Sequence, residues 1–326
     1  MKNILVTGGA GYIGSHVCKL LKLYGYNPIV FDNLSTGSRS GVKWGELFVG
    51  DVVALQDIES VFLAYKIDAV VHLAAKLAVG ESVQNPAIYY ENNVLGSKNL
   101  IDMMLKYKVE HIVFSSSAAV YGIPSTDALI TEDILLAPIN PYGRTKKMTE
   151  ELLHDYAHVY PLSFVALRYF NACGADVDLE TGWYNQNPQN LIPIIVKRVA
   201  ENQSFQVYGN DYNTADGTCV RDYIHVLDLA QAHVQSLEYL MNKNQNAIFN
   251  LGTGKGCSVL DIIQSMEKII EKPLQYDIVA RREGDPDSLI ADTNKAKSVL
   301  DWQVKYGLDD ILMTAWQWQK KIISNN

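Results

Sequence analysis

Tyr142 and Lys146 stand four residues apart, a spacing that places a phenol and an ammonium on one face of a helix. Pro141 before them suits the first turn of that helix. A tyrosine normally titrates near pH ~10, so a base at neutral pH needs a pKa lower by ~3 units, about 4 kcal/mol. One positive charge at ~4 Å supplies roughly 4 kcal/mol at an effective dielectric constant of ~20. The pair therefore predicts a proton-transfer site in which Lys146 lowers the pKa of Tyr142.

Position along the chain separates this pair from an ordinary one. Tyr239 and Lys243 have the same spacing, and we interpret them as a plain helix end. Tyr142 instead follows a predicted fifth strand that ends in a run of serines, and Ser117 in that run offers a hydroxyl that can share a proton with substrate and tyrosine. The alternatives are a solvated helical pair and a serine turn that satisfies loose backbone groups. Taken together, Ser117, Tyr142 and Lys146 favour catalysis.

The chain begins MKNILVTGGAGYIGSH, which is an apolar strand, a glycine-rich turn and an amphipathic stretch. Gly8, Gly11 and Gly14 allow a tight turn, close approach of the backbone to a pyrophosphate, and close packing of helix on strand. The next predicted strand ends at Asp32, about 20 residues further on, where a carboxylate accepts from the ribose hydroxyls of NAD and repels the extra phosphate of NADP. An ordinary tight turn is the alternative for the glycines alone. Strand, glycines, helix and acid in this order predict NAD binding.

Apolar strands alternate with helical patterns along the first half of the chain. Continuous apolar strands joined by helices predict an α/β fold of the Rossmann type, a doubly wound parallel sheet covered on both faces. The predicted strands cover residues 4–6, 29–31, 47–49, 69–73, 112–114 and 164–167, and the clearest helix covers 86–107.

After residue 171 the pattern changes. A polar loop at 176–189 is followed by a predicted helix at 191–202, short strands, and a second helix at 258–271. We interpret this part as a smaller mixed α/β lobe over the carboxyl ends of the sheet, where open α/β folds bind ligands. The predicted NAD-binding domain comprises residues 1–170 plus about 218–250, and the predicted substrate lobe comprises about 171–217 plus 251–326.

Composition narrows the class of protein. The 326 residues carry a net charge of -8, which leaves no basic surface for nucleic acid. No apolar run approaches the ~18 residues of a membrane span, and the N-terminus enters a strand without a signal-peptide pattern. The four cysteines form no C-x-x-C pair, and the seven histidines show no metal-binding spacing. We therefore predict a cytoplasmic enzyme with reduced thiols, no metal, and no nucleic-acid or membrane partner.

Eight motifs are spread over nearly the whole chain: TGGAGYIGSH, AVGES, SSSAAVYG, NPYGRTK, RYFNACGA, GTCVRDYIHV, NLGTGKG and RREGDP. Together they resemble the extended short-chain dehydrogenase/reductase family, also called NAD-dependent epimerases/dehydratases. RYFN, VRDYIHV and RREGD are the more specific part, and they resemble the UDP-glucose/UDP-galactose 4-epimerase branch. The resemblance implies reversible epimerisation at sugar carbon 4 of UDP-galactose and UDP-glucose, through a transient 4-keto sugar and tightly bound NAD.

The resemblance also implies roles for individual residues. Tyr142 would be the base, Lys146 its electrostatic partner and a ligand of the nicotinamide ribose, and Ser117 the proton-sharing hydroxyl. Besides Tyr142 and Lys146, the residues that would bind NAD are Gly8, Gly11, Tyr12, Ile13, Gly14, Asp32, Asn33, Asp51, Val52 and Asn92. The residues that would bind the UDP-sugar are Ser117, Asn171, Asn190, Leu191, Tyr208, Arg221, Tyr223, Arg282, Asp285 and Leu289. A homodimer through the helices at 86–107 and 142–160 is implied as well.

Two arginines of this set have a second interpretation. Arg221 and Arg282 suit a diphosphate because a guanidinium binds phosphate oxygens in pairs. Each also has an acidic neighbour in sequence, Asp222 or Glu283, with which it can form a surface ion pair of little energetic value.

Three features of the sequence bear on the reaction, the cofactor contacts and the sugar that the resemblance implies. Ala118 and Ala119 stand where related dehydratases carry an acidic pair, so removal of a hydroxyl is disfavoured. In the family pattern, a lysine that contacts the ribose of the cofactor stands just before the alanine of AVGES, where this sequence has Leu77. Lys76 lies one residue earlier, and we give it no role. Leu289 stands where members of the family restricted to glucose and galactose often have a bulky aromatic residue beside sugar carbon 2. The smaller leucine predicts room for UDP-GalNAc and UDP-GlcNAc, and simple packing of the lobe is the alternative. A UDP-glucuronate 4-epimerase and a non-catalytic NAD-binding sensor module are the other candidates.

Overall fold

The computed structural model describes residues 1–124, 129–185, 188–282 and 284–324. Its strands are β1 (Asn3–Thr7), β2 (Asn27–Asp32), β3 (Glu46–Val49), β4 (Ala69–His72), β5 (His111–Ser115), β6 (Ser163–Tyr169), β7 (Asn171–Cys173), β8 (Phe205–Tyr208), β9 (Val220–His225), β10 (Ala247–Leu251), β11 (Gly256–Ser258), β12 (Tyr276–Val279) and β13 (Ser288–Leu289). Its α-helices are α1 (Tyr12–Leu23), α2 (Leu55–Ala64), α3 (Val79–Gln84), α4 (Pro86–Tyr89), α5 (Gly96–Lys106), α6 (Pro141–Val159), α7 (Leu191–Ala200), α8 (Val226–Lys243), α9 (Val259–Ile270), α10 (Asn294–Leu300) and α11 (Leu308–Ser324). Within these ranges no helix is both long enough and apolar enough to cross a membrane.

Seven parallel strands form the main sheet, in the order β10-β6-β5-β4-β1-β2-β3. Each of the six predicted strands overlaps one of β1 to β6, so those predictions are confirmed. The chain leaves β1 in one direction and later returns to its other side through β4, which places the turn after β1 where the strand order reverses. The predicted Rossmann-type, doubly wound α/β fold is therefore confirmed.

Helices cover both faces of this sheet. Along β1, Leu5 faces one side, where it joins the buried core formed by α2, α5 and α6. Val6 faces the other side, where α1 and α8 supply the buried partners. Burying a side chain of this size contributes about 1.5–3 kcal/mol, so strands buried on both faces are rich in apolar residues. This enrichment explains why the strands were visible in the sequence.

The helix predicted at 86–107 has the expected ends and an unexpected middle. After α4 the backbone widens into a π-helical turn, Tyr90–Leu95, before α5 begins. Gly96 packs so closely on Val52 that a Cβ would lie 2.7 Å from Cγ2 of that valine. Asn93 in the wide turn reaches neighbouring elements with its side chain, and such turns often occur at functional sites.

The smaller lobe is organised around β9. This strand pairs with β7, β11 and β13, while β8 and β12 form a separate parallel pair. At the start of α9, Ser258 and Asp261 each accept a hydrogen bond from the other's backbone N–H, a capping box. The predicted helices at 191–202 and 258–271 are confirmed as α7 and α9. The described part of the loop at 176–189 contains neither helix nor strand.

A stretch near the C-terminus packs on the main sheet although the sequence prediction assigned it to the lobe. Ala296 and Leu300 of α10, and Trp302 after it, are buried in the same core as α1 and α8. The indole N–H of Trp302 donates to the carbonyl of Asp228 at 2.8 Å. The division into two domains stays a prediction.

Candidate active site

Ser117, Tyr142 and Lys146 meet beyond the carboxyl end of β5. Ser117 lies two residues after that strand. Tyr142 and Lys146 lie in the first turns of α6, whose start is capped by Asn140, which accepts the N–H of Gly143 at 2.8 Å. The Ser117 hydroxyl hydrogen-bonds the Tyr142 phenol. The structure thus brings together the three residues that spacing and position singled out.

Burial controls the ionisation of this group. The Lys146 ammonium donates to the carbonyl of Ser115 at 2.6 Å, and its nitrogen lies 5.9 Å from the Tyr142 ring centroid. Burial lowers the pKa of Lys146 to about 7. Burial also raises the pKa of Tyr142, and the hydrogen bond from Ser117 opposes this rise. In the protein alone the cost of burying a phenolate is therefore the largest effect on the pKa of Tyr142, and a lowering of that pKa by Lys146 stays a prediction.

Glu150 is a buried carboxylate that the sequence analysis did not select. It lies one turn after Lys146 on α6, and it opposes the effect of burial on the pKa of that lysine. It accepts hydrogen bonds from the Ser116 hydroxyl and from Nη2 of Arg168, the latter at 2.6 Å. The signal that could have found it is its spacing of four from Lys146. These contacts tie α6 to the carboxyl end of β5 and to β6, and they hold the face of α6 that carries Lys146 in place.

A chain of buried hydrogen bonds also links β1 to α6. The two ring nitrogens of His72 lie 2.7 Å from Oγ1 of Thr7 and 2.8 Å from Oγ of Ser97. Ser97 donates to the carbonyl of Asn93, whose side-chain amide donates to Oγ1 of Thr145 at 3.0 Å. Burial lowers the pKa of His72 to about 3, so the ring is neutral and serves as a link. Sequence reasoning missed these residues because they come from separate elements and share no spacing.

The turn between β1 and α1 has a geometry that requires glycine. Gly8 has φ +73°, in the left-handed region. A Cβ on Gly14 would lie 2.2 Å from the carbonyl oxygen of Gly8. Gly11 donates its N–H to that carbonyl at 3.1 Å and caps α1. The turn therefore presents the first N–H groups of α1 and the positive end of its dipole, which is an arrangement suited to a pyrophosphate.

Acidic and amide side chains gather beside this turn, at the ends of β2 and β3. Asp32 accepts the backbone N–H groups of Ala10 at 3.0 Å and Leu34 at 2.8 Å. Burial raises the pKa of Asp32, and the two hydrogen bonds oppose that effect. The side-chain amide of Asn33 donates to Asp51 at 2.8 Å. Three predicted NAD ligands thus lie together next to the glycines.

The other predicted NAD ligands lie around the same sheet edge. Ile13 follows the turn in α1 and packs on the core of the main sheet. Val52 is buried after β3, and Asn92 is half-buried in the π-helical turn. The Tyr12 hydroxyl donates to the carbonyl of Gly174, beyond β7, at 2.7 Å. That last contact joins the glycine turn to the lobe.

Strand β9 places several predicted sugar-lobe residues next to one another. Arg221 and Tyr223 are two residues apart, so their side chains leave the same face of the strand. Tyr223 is in register with Asn171 of β7, and Arg221 is in register with Leu289 of β13. The Arg221 guanidinium forms an ion pair with Asp285. These five predicted residues therefore form one cluster.

Four predicted residues lie on elements next to this cluster. The guanidinium carbon of Arg282 lies 4.1 Å from the Tyr208 ring centroid, a cation–π contact. Asn190 is the N-cap of α7, and Leu191 is its first residue. Besides Ser117, the predicted substrate residues therefore comprise the cluster around β9, the stacked pair of Arg282 and Tyr208, and the N-terminus of α7.

The two ion-pair alternatives have different outcomes. Asp222 is buried and accepts three backbone N–H groups at 2.7, 3.0 and 3.2 Å. A surface pair between Arg221 and Asp222 is therefore wrong, because the carboxylate is used on the other side of β9. Glu283, the alternative partner of Arg282, lies outside the described residues.

The family pattern described as "NAD dependent epimerase/dehydratase family" matches residues 4–252, which run from β1 to the end of the main sheet. The chain belongs to this family. A curated relative, the UDP-glucose 4-epimerase of Rhizobium meliloti (strain 1021), is 45% identical over 98% of this chain and 97% of its own length.

Solved structures of the same family are similar throughout. UDP-glucose 4-epimerase from Brucella ovis in complex with NAD has 46% identity and a TM-score of 0.94, covering 97% of this chain and 98% of that one. The enzyme from Bifidobacterium longum in complex with NAD+ and UDP has 39% identity and a TM-score of 0.92, with all of both chains covered. The likeness therefore includes both the main sheet and the lobe.

Gly14→Ala tests the prediction that the glycine turn between β1 and α1 binds NAD. The added Cβ would lie 2.2 Å from the oxygen of Gly8 and 2.7 Å from Cα of Gly9, so the turn must open. Such overpacking costs about 1–3 kcal/mol, and we expect NAD affinity to fall about 10-fold or more. The measurement is NAD released per chain on denaturation. Gly80→Ala, whose Cβ meets nothing within 4 Å, should keep its NAD; a fully loaded Gly14→Ala protein would contradict the assignment of the turn.

Proposed function

We propose that this protein acts as a UDP-glucose 4-epimerase, which interconverts UDP-galactose and UDP-glucose by inverting sugar carbon 4. The observation that carries the proposal is the group formed by Ser117, Tyr142 and Lys146, which lies at the same sheet edge as the glycine turn. Family membership and the 45% identity to a curated 4-epimerase support the same reaction.

The residues around the glycine turn fit NAD. The positive φ of Gly8 and the tight packing at Gly14 form a cradle that side chains would fill, and Asp32 follows the next strand. When bound, NAD supplies the hydride acceptor and donor for sugar carbon 4, together with a positive ring charge. The residues that we propose to line it, besides Tyr142 and Lys146, are Gly8, Gly11, Tyr12, Ile13, Gly14, Asp32, Asn33, Asp51, Val52 and Asn92.

The chain's own residues move the proton. Tyr142 takes the proton of the hydroxyl on sugar carbon 4 and returns it after the 4-keto sugar has turned over in the site. Ser117, hydrogen-bonded to the phenol, shares that proton with the sugar oxygen. Burial raises the pKa of Tyr142, so the side chain becomes a phenolate that can accept the sugar proton only beside positive charge. Lys146, with a pKa lowered by burial to about 7, supplies such charge in its protonated form.

The lobe must bind UDP firmly and the hexose loosely, because the 4-keto sugar has to turn so that either of its faces can receive the hydride. Arg221 and Arg282 would bind the diphosphate and Asp285 the uridine end, because guanidinium groups suit phosphates and a carboxylate accepts from ribose hydroxyls. The ion pair between Arg221 and Asp285 places both groups side by side. The remaining members of the proposed substrate set are Ser117, Asn171, Asn190, Leu191, Tyr208, Tyr223 and Leu289.

Loss of a sugar hydroxyl is disfavoured by the same site. Ala118 and Ala119 form the short turn after Ser117, where an acid would be needed to protonate the leaving hydroxyl. A methyl side chain cannot supply that proton. The site is therefore suited to reversible proton and hydride transfer at one carbon.

We also expect UDP-GalNAc to be a substrate, because Leu289 leaves more room beside sugar carbon 2 than an aromatic residue would. Leu289 lies opposite Arg221 and packs near Ala118. The test is to incubate purified protein without added NAD, separately with UDP-galactose and UDP-GalNAc, and to resolve the products.

Conversion of both sugars to their gluco epimers is the expected result. Conversion of UDP-galactose alone would support the epimerase reaction and would refute the prediction that Leu289 leaves room for an N-acetyl group. If neither sugar reacts even after NAD is supplied, the epimerase proposal fails for them. UDP-glucuronate and a non-catalytic NAD-binding role then come next.

We propose a homodimer through the helices at 86–107 and 142–160. Leu95, Met148 and Val159 are exposed apolar side chains on these helices, which supports burial against a second copy. A cytoplasmic location stays a prediction, supported by four cysteines that are all unpaired.

A further inference from the structure

One face of α1 contacts the loop that follows β7. Tyr12, Ser15 and Lys19 share this face because they are spaced by three and four residues. The Tyr12 hydroxyl donates to the carbonyl of Gly174 at 2.7 Å, and the Ser15 and Thr181 hydroxyls lie 2.7 Å apart. The helix that starts at the NAD turn therefore also holds the beginning and the end of the segment 174–181.

Lys19 holds the middle of this segment. Its nitrogen lies 2.8 Å from Asp176, 3.0 Å from Asp178 and 2.8 Å from Glu180, which we call the acidic trio. The side chains of Lys19 and Asp176 are 9% and 1% exposed, whereas those of Asp178 and Glu180 are 70% and 47% exposed. Burial alone would lower the pKa of Lys19, and hydrogen bonds to the trio raise it, so Lys19 stays charged. Three carboxylates thus share one ammonium.

The lobe holds the other side of the same loop. Lys321 of α11 donates to the carbonyl of Leu179 at 2.7 Å, and the indole N–H of Trp318 donates to the carbonyl of Trp183 at 3.0 Å. Gly182 packs so closely that a Cβ would lie 2.6 Å from the Trp318 ring. The loop is therefore clamped between the NAD half of the protein and α11.

Two proposed sugar contacts flank this loop in the sequence. Asn171 in β7 lies three residues before Gly174, and Asn190 at the start of α7 lies nine residues after Thr181. We propose that Lys19 is a positioning residue for the UDP-sugar subsite: by neutralising the acidic trio it holds the loop, and with it Asn171 and Asn190, in the binding geometry. The identity of the ligand rests on the proposed function.

Lys19→Met tests the role. Without the ammonium the trio repels itself, so the loop leaves its position and the KM for UDP-galactose rises about 3- to 30-fold, the range for residues that act on a site through others. The kcat stays close to the wild-type value because Lys19 touches no reacting group, and the NAD content is unchanged. Lys19→Arg, which keeps the charge, should restore most of the KM.

Calcium supplies a readout that a purely structural role would not move. Oxygen atoms of the trio lie within 4.8 Å of one another, a spacing suited to one hard cation once the lysine is shortened. We expect Ca²⁺ to lower the KM of Lys19→Met toward the wild-type value and to raise its Tm. In wild-type protein Ca²⁺ should change neither the KM nor the Tm, because the Lys19 ammonium already neutralises the trio.

An unchanged KM in Lys19→Met would overturn the inference. So would a KM defect that neither arginine nor Ca²⁺ reverses, since that result indicates general damage. UDP binding by calorimetry separates this inference from the proposed reaction. If wild-type protein turns over no sugar, weaker UDP binding by Lys19→Met that Ca²⁺ restores still supports the clamp, and equal UDP binding refutes it.

Discussion

Tyr142→Phe is expected to lower kcat for UDP-galactose about 10³-fold while NAD stays bound. The variant loses the hydroxyl that takes the proton, and proton transfer by a placed side chain contributes about 10²- to 10⁴-fold. Phenylalanine keeps the buried ring, so the fold and the cofactor cradle at Gly8 and Gly14 should persist. The measurements are kcat and the NAD content per chain.

Tyr239→Phe is the matched control. Tyr239 precedes Lys243 by the same four residues, and its hydroxyl makes one long contact, 3.4 Å to Gln245. This variant should keep the wild-type kcat. If Tyr142→Phe also kept it, Tyr142 would be removed from the proton path, and a non-catalytic role of the protein would gain support.

Acidification from about pH 7 to about pH 5 is expected to lower the free energy of unfolding by about 6 kcal/mol. Burial lowers the pKa of His16 and His233 to about 4, and of His72 and His225 to about 3. Histidines of the unfolded chain have pKa values of ~6.5, so the unfolded chain takes up these protons before the folded one does. The four histidines therefore do not lower the free energy of unfolding above that pH, and they lower it progressively below. Each group costs about 2 kcal/mol at about pH 5. Asp228, whose pKa burial raises to about 6, acts in the opposite direction and offsets part of this loss.

Urea unfolding at the two pH values measures this loss. His233→Met should lose about 2 kcal/mol less than wild type, because one of the four groups is gone. The His233 Nδ1 interacts with the carbonyl of Leu229 at 2.9 Å and its Nε2 has no hydrogen-bond partner, so a second proton there would lack an acceptor. His158→Gln, at an exposed position on α6, should behave as wild type. Equal stability at both pH values would contradict the prediction.

The parts of the fold that the sequence revealed are those where geometry dictates the residue type. Gly8 and Gly14 were visible because a positive φ and a 2.2 Å approach exclude a side chain. Strands β1, β2, β4, β5 and β6 were visible because residues buried on both faces of the sheet are mostly apolar, whereas β3 at the sheet edge is only partly buried. The wide turn at Tyr90–Leu95 was not visible, because the helical sequence pattern at 86–107 shows no change where the backbone widens.

The active site divides in the same way. Spacing and strand order were enough to bring Tyr142, Lys146 and Ser117 together. The direction of the Tyr142 pKa was not predictable, because burial is set by every element around the phenol. The contact of Lys19 with Asp176 was equally hidden, since it joins residues 157 positions apart that share no motif.

The late arrival of β10 in the main sheet bears on how the protein is made. As the chain leaves the ribosome, β1 to β6 are complete before α7, β9 and α8 have been synthesised, and only then does β10 cover the edge of β6. Trp302, which closes the same core, emerges later still. The nascent nucleotide-binding half therefore carries an open strand edge through much of translation. A message truncated after β6 would yield an aggregation-prone fragment and not a smaller working domain.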